Sequence, residues 1–219
     1  RDSLIEGQLK DKQIIEEKSK KLESLATRLA KYLSPQIYEQ IFSGHQDANV
    51  TSQRKKLTIF FSDIVGFTDI TEHLESEELT SLINFYLNEM SMITLKYGGT
   101  IDKYIGDAIL IFFGDPESNG YKEDASSCIK MAIEMQNKMR ELTDVWGTNF
   151  GLKSALSIRI GINTGFCTVG NFGSDNRLDY TVIGSPVNLA SRLESTAQPN
   201  NIICLLYTSP SPRDDRYSR

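Results

Sequence analysis

The clearest pattern along the chain is the apolar run LTIFF at residues 57–61, which ends at a carboxylate, Asp63. Gly66, Phe67 and Thr68 follow it. A short apolar run bounded by a glycine turn predicts a strand over 57–62 and a helix opening near Gly66–Phe67. The next segment, from Ser76 to Gly98, places apolar residues at 79, 82, 83, 86, 90, 93 and 97, which is a helical period. Ser76 reads as its cap, Glu77 and Glu78 suit its positive end, and Gly98 closes it. Residues 100–114 read as two strands about a Gly106–Asp107 turn. Another amphipathic helix is predicted over 121–142 through Ala125, Cys128, Ile129, Ala132, Met135, Met139 and Leu142. Residues 155–173 read as a strand, a turn at Thr164–Gly165 and a second strand. A strand over 177–184 and a helix over 185–197 complete the order.

Hairpins alternating with amphipathic helices imply an α+β fold, a sheet with helices packed on it. Ahead of it, residues 1–33 are rich in Lys, Glu and Gln, with Ile15, Leu22 and Leu29 seven apart and Leu25 between them. That spacing suits either a solvated single helix or a short dimerisation seam. Residues 33–44 read as a second, Pro-started helix, with Ser34 as cap, Pro35 at the first position and Gly44 at the close. The organisation expected is a helical coiled-coil or transducer segment at 1–44, a polar linker at 45–56 and a catalytic domain at 57–204. Residues 205–219, LLYTSPSPRDDRYSR, carry little that could enter a core and read as a disordered or foreign tail.

Composition narrows the chemistry. With 39% hydrophobic and 24% charged residues among 219, a packed core is expected. The net charge of −5 argues against nucleic-acid binding as the main role. Three cysteines without paired spacing point to reduced thiols and a cytoplasmic setting, and two distant histidines make a His-based metal site a poor expectation. No apolar run reaches the roughly 20 residues of a membrane span.

Asp63 taken alone would be a turn or cap residue. A second carboxylate, Asp107, stands at the tip of the 100–114 hairpin, and pairing of that hairpin with strand 57–62 would set the two side by side. Adjacent carboxylates call for a cation or a shared proton. Magnesium takes carboxylate oxygens and leaves room for phosphates, and the N–H groups at the start of a helix suit phosphate as well. On the helix over 185–197, Asn188 and Arg192 are four apart and share a face opposite Val187, Ala190, Leu193 and Ala197. An amide suits orienting a ribose, and a guanidinium suits a phosphoryl group gaining charge.

FFSDIVGFT, KYIGDAILIFFG, IRIGINTG and YTVIGSPVNLASRLE together resemble the motifs of class III nucleotide cyclase catalytic domains, over about residues 57–204. The resemblance implies a ferredoxin-like palm, with two domains paired head to tail and sites built at their interface. It implies that Asp63 and Asp107 bind two Mg²⁺ or Mn²⁺ ions with the Ile64 carbonyl. Asn188 would then position the ribose and Arg192 the α-phosphate, with Gly66, Phe67 and Thr68 at the phosphates. Purine choice falls on Lys103 and Thr181. Adenylate cyclases similar to this sequence carry Lys with Asp or Thr there, and guanylate cyclases Glu with Cys. The expectation is a homodimeric adenylate cyclase converting ATP to cyclic AMP and pyrophosphate, downstream of a sensor domain. The alternatives are a guanylate cyclase of the same fold, or a non-catalytic nucleotide-binding or dimerisation module. The family's pattern continues past NNIIC into strands bearing a triphosphate-binding lysine, so a truncated domain is expected.

Overall fold

The computed structural model describes residues 2–30, 32–42, 52–174 and 176–205. The chain divides into two units, Arg1–Asp47 and Ala48–Arg219. The first holds two helices, α1 (Asp2–Ala30) and α2 (Pro35–Phe42). Ile15, Leu22, Leu25 and Leu29 are exposed on α1. The Ser34 carbonyl accepts the first N–H groups of α2, from Ile37 and Tyr38. The expected closure at Gly44 and the tail from 206 onward lie outside the described residues.

The second unit runs β1 (Ser52–Ile64), α3 (Phe67–Thr71), α4 (Ser76–Lys96), β2 (Thr100–Ile105), β3 (Ala108–Phe113), α5 (Tyr121–Glu141), α6 (Thr143–Phe150), β4 (Ile158–Ser174), β5 (Arg177–Ile183), α7 (Ser185–Thr196) and β6 (Ile202–Leu205). The strand order is β2-β3-β1-β4-β5, all antiparallel, and β6 joins β4 in parallel. This is the expected mixed architecture of an antiparallel-rich sheet with helices packed on it. Successive side chains of a strand point to opposite faces, and β1 is buried on both. Phe60 and Ile64 join a core formed with α4, α5 and Trp146 of α6, while Leu57 and Ile59 pack with Val182 and with Ala190 of α7.

Four expectations are corrected. Residues 52–56 are not linker but the start of β1, paired with Phe166–Gly170 of β4. Their polar side chains are mostly exposed, so backbone pairing rather than burial holds them, and hydrophobic patterning missed them. Residues 158–174 form one strand, with no turn at Thr164–Gly165. The glycines there serve close approach: a Cβ on Gly161 would lie 2.2 Å from the Ala190 carbonyl oxygen, and one on Gly165 2.6 Å from Pro186. Glu75 rather than Ser76 caps α4, in a capping box with Glu78. Finally α6, absent from the sequence reading, is anchored by fully buried Trp146, edge-on to Phe85 at 5.7 Å between ring centres.

Candidate active site

Antiparallel register brings the two carboxylates together. Ser62 pairs with Ile109, so two residues further on Ile64 stands opposite Asp107, and the Ile64 N–H donates to Asp107 Oδ2 at 2.9 Å. The hairpin tip beside it needs a left-handed residue, supplied by Gly106 at φ +65°. Asp63 lies on the adjacent position of β1, directly across from Arg159 of β4. Arg159 grips it with both arms, Nε to Oδ1 at 3.0 Å and Nη2 to Oδ2 at 2.6 Å. The same guanidinium lies 3.2 Å from Glu194 of α7, whose side chain is almost wholly buried. Burial, reinforced by a hydrogen bond to Asp63 and its charge, pushes Glu194 up to about 7, against the pull of Arg159. Burial also raises Asp107, with the Asp63 charge adding to it and the Ile64 N–H opposing.

These carboxylates suit a hard cation. Both keep partial exposure, an ionised carboxylate has about four acceptor positions, and positive charge would offset the burial and the lesser Asp63 repulsion that raise Asp107. Asp63, Asp107 and the Ile64 carbonyl form an all-oxygen set of the kind magnesium or manganese takes. Among the described residues no cluster of three or more His, Cys, Asp or Glu could hold a metal. Water and substrate phosphate would therefore have to complete the shell. Gly66 precedes α3, and Phe67 and Thr68 open it, but that helix is only five residues long.

The purine candidates come together elsewhere. Lys103 of β2 and Thr181 of β5 sit on the two terminal strands of the sheet order, yet both reach one side chain, Asp102. Its Oδ2 accepts the Thr181 hydroxyl at 2.6 Å and the Val182 N–H at 3.2 Å, and its Oδ1 lies 3.3 Å from Lys103 Nζ. A second buried carboxylate, Asp115, strengthens the same junction by accepting from Tyr180 Oη and Lys55 Nζ.

Asn188 and Arg192 are exposed on α7. At about 100° per residue, Arg192 points roughly opposite to Glu194, and Glu194 is the residue that faces Arg159. The helix face bearing Asn188 and Arg192 therefore turns away from the Asp63 cluster. Two concavities, of about 470 and 530 Å³, contain none of the candidate residues.

Arg159, Glu194 and Asp102 were not anticipated. A register argument from LTIFFSDI against IRIGI could have found Arg159. Asp102 left one signal, a carboxylate beside Lys103 between the apolar ends of the strand TIDKYI.

The model of the adenylate and guanylate cyclase catalytic domain family matches residues 50–210. A terminal-differentiation specific adenylate cyclase of Dictyostelium discoideum is 35% identical over 178 residues, 80% of this chain and 8% of that protein. The adenylate cyclase of Anabaena cylindrica is 35% identical over 164 residues, 74% of this chain and 30% of its own length. The chain thus spans less than a third of these relatives. Among solved structures, the adenylyl cyclase CyaB from P. aeruginosa is 57% identical with a TM-score of 0.68, covering 71% of this chain and 79% of that one. The guanylyl cyclase Cya2 is 39% identical with a TM-score of 0.65, covering 70% and 76%.

Proposed function

Because this chain belongs to the adenylate and guanylate cyclase catalytic domain family, we propose that it forms the catalytic unit of an adenylate cyclase acting as a head-to-tail homodimer. The ribose 3′-oxygen of ATP attacks the α-phosphate in line, the bond to the β-phosphate oxygen breaks, and cyclic AMP and pyrophosphate leave. The observation that carries the preference for ATP is the meeting of Lys103 and Thr181 around Asp102. An ammonium only donates, which suits adenine N1 and not the N1–H of guanine.

Two magnesium or manganese ions, held by Asp63, Asp107 and the Ile64 carbonyl, would neutralise phosphate charge and acidify the attacking hydroxyl. Arg192 answers the charge that develops on the α-phosphate, and Asn188 orients the ribose. The N–H groups at Gly66, Phe67 and Thr68 receive phosphate oxygens. The outward turn of Asn188 and Arg192 from the Asp63 cluster supports a site shared between two chains, with the carboxylates from one and Lys103, Thr181, Asn188 and Arg192 from the other. The exposed stripe of Ile15, Leu22 and Leu29 on α1 supports a second, helical contact between the chains. A sensor domain upstream would act through that segment.

Complementation tests the shared site. Asp107→Ala and Arg192→Ala homodimers are each expected to be nearly inactive. In the mixed dimer one site collects both lesions and the other neither. Mixing should restore about a quarter of wild-type activity, when half the dimers are mixed and each has one intact site. A mixture that stays inactive while cross-linking shows mixed dimers would mean that each site lies within one chain.

A further inference from the structure

We propose that Asp102 is a positioning residue for purine selection, a buried carboxylate that sets the polarity of the Thr181 hydroxyl and holds the Lys103 ammonium beside it. The inference rests on the reading that Lys103 and Thr181 face the purine, and deepens it.

Asp102 reaches this position through an irregularity of β2. The pairing with β3 shifts between Ile101, opposite Ile111, and Lys103, opposite Leu110, which leaves Asp102 as the extra residue of a bulge. A bulge re-aims a side chain, and here it turns a carboxylate wholly out of solvent, with 0% of its side chain exposed. Burying a charge is costly unless donors surround it. The donors found are the Thr181 hydroxyl and the N–H of Val182, and the ammonium of Lys103 supplies the opposite charge. Oδ1 makes no hydrogen bond of good geometry, so Lys103 is held there by charge and keeps its N–H directions for another acceptor. This buried charge is therefore directed at the two residues read as facing the base.

The consequence lies in the direction of one proton. A threonine hydroxyl carries a single hydrogen and can otherwise accept, so by itself it reads donors and acceptors alike. A carboxylate only accepts, and at 2.6 Å from Oδ2 the Thr181 hydrogen is committed to Asp102. Thr181 then offers a ligand lone pairs alone, while Lys103 offers hydrogens alone. Adenine matches this pair with a donor at its 6-amino group and an acceptor at N1. Guanine presents the reverse, an acceptor at O6 and a donor at N1. Freed from Asp102, the hydroxyl would rotate and donate to O6, and one of the two mismatches would vanish. Asp102 thus turns an ambivalent side chain into a selective one without touching the nucleotide.

The test compares binding of the unreactive 3′-deoxy-ATP and 3′-deoxy-GTP to the full chain, together with kcat/KM for ATP and GTP. Asp102→Ala should lower the ATP-to-GTP preference about tenfold in both measurements, with GTP improving in absolute terms. Asp102→Asn keeps an oxygen for Thr181 and Val182 but removes the charge, so it should weaken ATP binding several-fold and still reject GTP. A scaffolding role alone would lower both nucleotides equally and leave their ratio unchanged, which would overturn the inference. Should Asp102→Ala not fold, Asp102→Asn decides: unchanged affinities for both analogues would overturn it. Thr181→Val separates the two levels. If it reduces the preference and Asp102→Ala does not, only the role of Asp102 falls. If neither variant moves the ratio, the purine reading of Thr181 fails, and the inference with it.

Discussion

Asp63 and Asp102 are each a strand aspartate beside a cation and a neighbouring strand, yet they are built for different work. Asp63 keeps 22% of its side chain exposed and is met across the sheet by Arg159. Asp102 keeps none; of its partners Lys103 is partly exposed, and Thr181 is itself buried. The first carboxylate can offer lone pairs to an incoming ion. The second keeps its oxygens out of reach of any incoming ligand and, as proposed, acts through what it holds. Exposure, rather than residue type, separates a ligand from a support.

The largest test of this contrast is removal of an open carboxylate. Asp107→Ala should reduce cyclase turnover at least a hundredfold, a loss of about 3 kcal/mol in the barrier. It should leave the circular dichroism spectrum unchanged and cost about 1 kcal/mol in urea unfolding, for the Ile64 N–H that loses its partner. Retention of more than a few per cent of activity would remove Asp107 from the metal set.

Next comes the support of α7. Gly161→Ala would thrust a methyl group to 2.2 Å from the Ala190 oxygen and 2.3 Å from the Glu194 nitrogen. The helix must move, and a destabilisation of roughly 2–3 kcal/mol is expected in chemical denaturation. Because Asn188 and Arg192 ride on α7, activity should fall even in conditions where the variant is fully folded. Wild-type kcat in the folded variant would disconnect α7 from the chemistry.

A smaller effect, about tenfold in relative kcat/KM, is expected when Lys103→Glu is combined with Thr181→Cys. The double variant reverses the donors and acceptors facing the base and should admit GTP. Unchanged selectivity would clear both residues of purine recognition. The smallest effect lies outside both carboxylate regions. Deleting residues 1–33 should raise the protein concentration needed for half-maximal activity while leaving the metal requirement alone.

How far each feature could be read from the sequence depended on whether it was written in periodicity. α4 and α5 were legible because their buried residues recur at helical spacing, and the 100–114 hairpin because Gly106–Asp107 marks its tip. The juxtaposition of Asp63 with Asp107 followed from pairing that hairpin with β1. Features made by contact between distant segments were not legible. Gly165 looked like a turn because its actual neighbour, Pro186, lies on another element. Residues 52–56 lacked burial, so nothing in their pattern distinguished a paired strand from a linker. The ion pair of Arg159 with Asp63 required the register of β1 on β4, and the role of Asp102 required a bulge that alternation cannot reveal.

The seating of α7 on Gly161 and Gly165 has a consequence for redesign. Where a helix rests on a cushion of side chains, repacking those side chains shifts it. Here main-chain atoms of α7 lie directly against Gly161 and the rigid Pro186 ring against Gly165, so there is no such cushion at these points to remodel. The layer of Leu82, Tyr86, Met131 and Met135 lies in the other core cluster. Exchanges at Leu82, Met131 or Met135 leave the atoms that seat α7 untouched, whereas Tyr86 lies within electrostatic reach of Asp63 and Asp107 and is best kept.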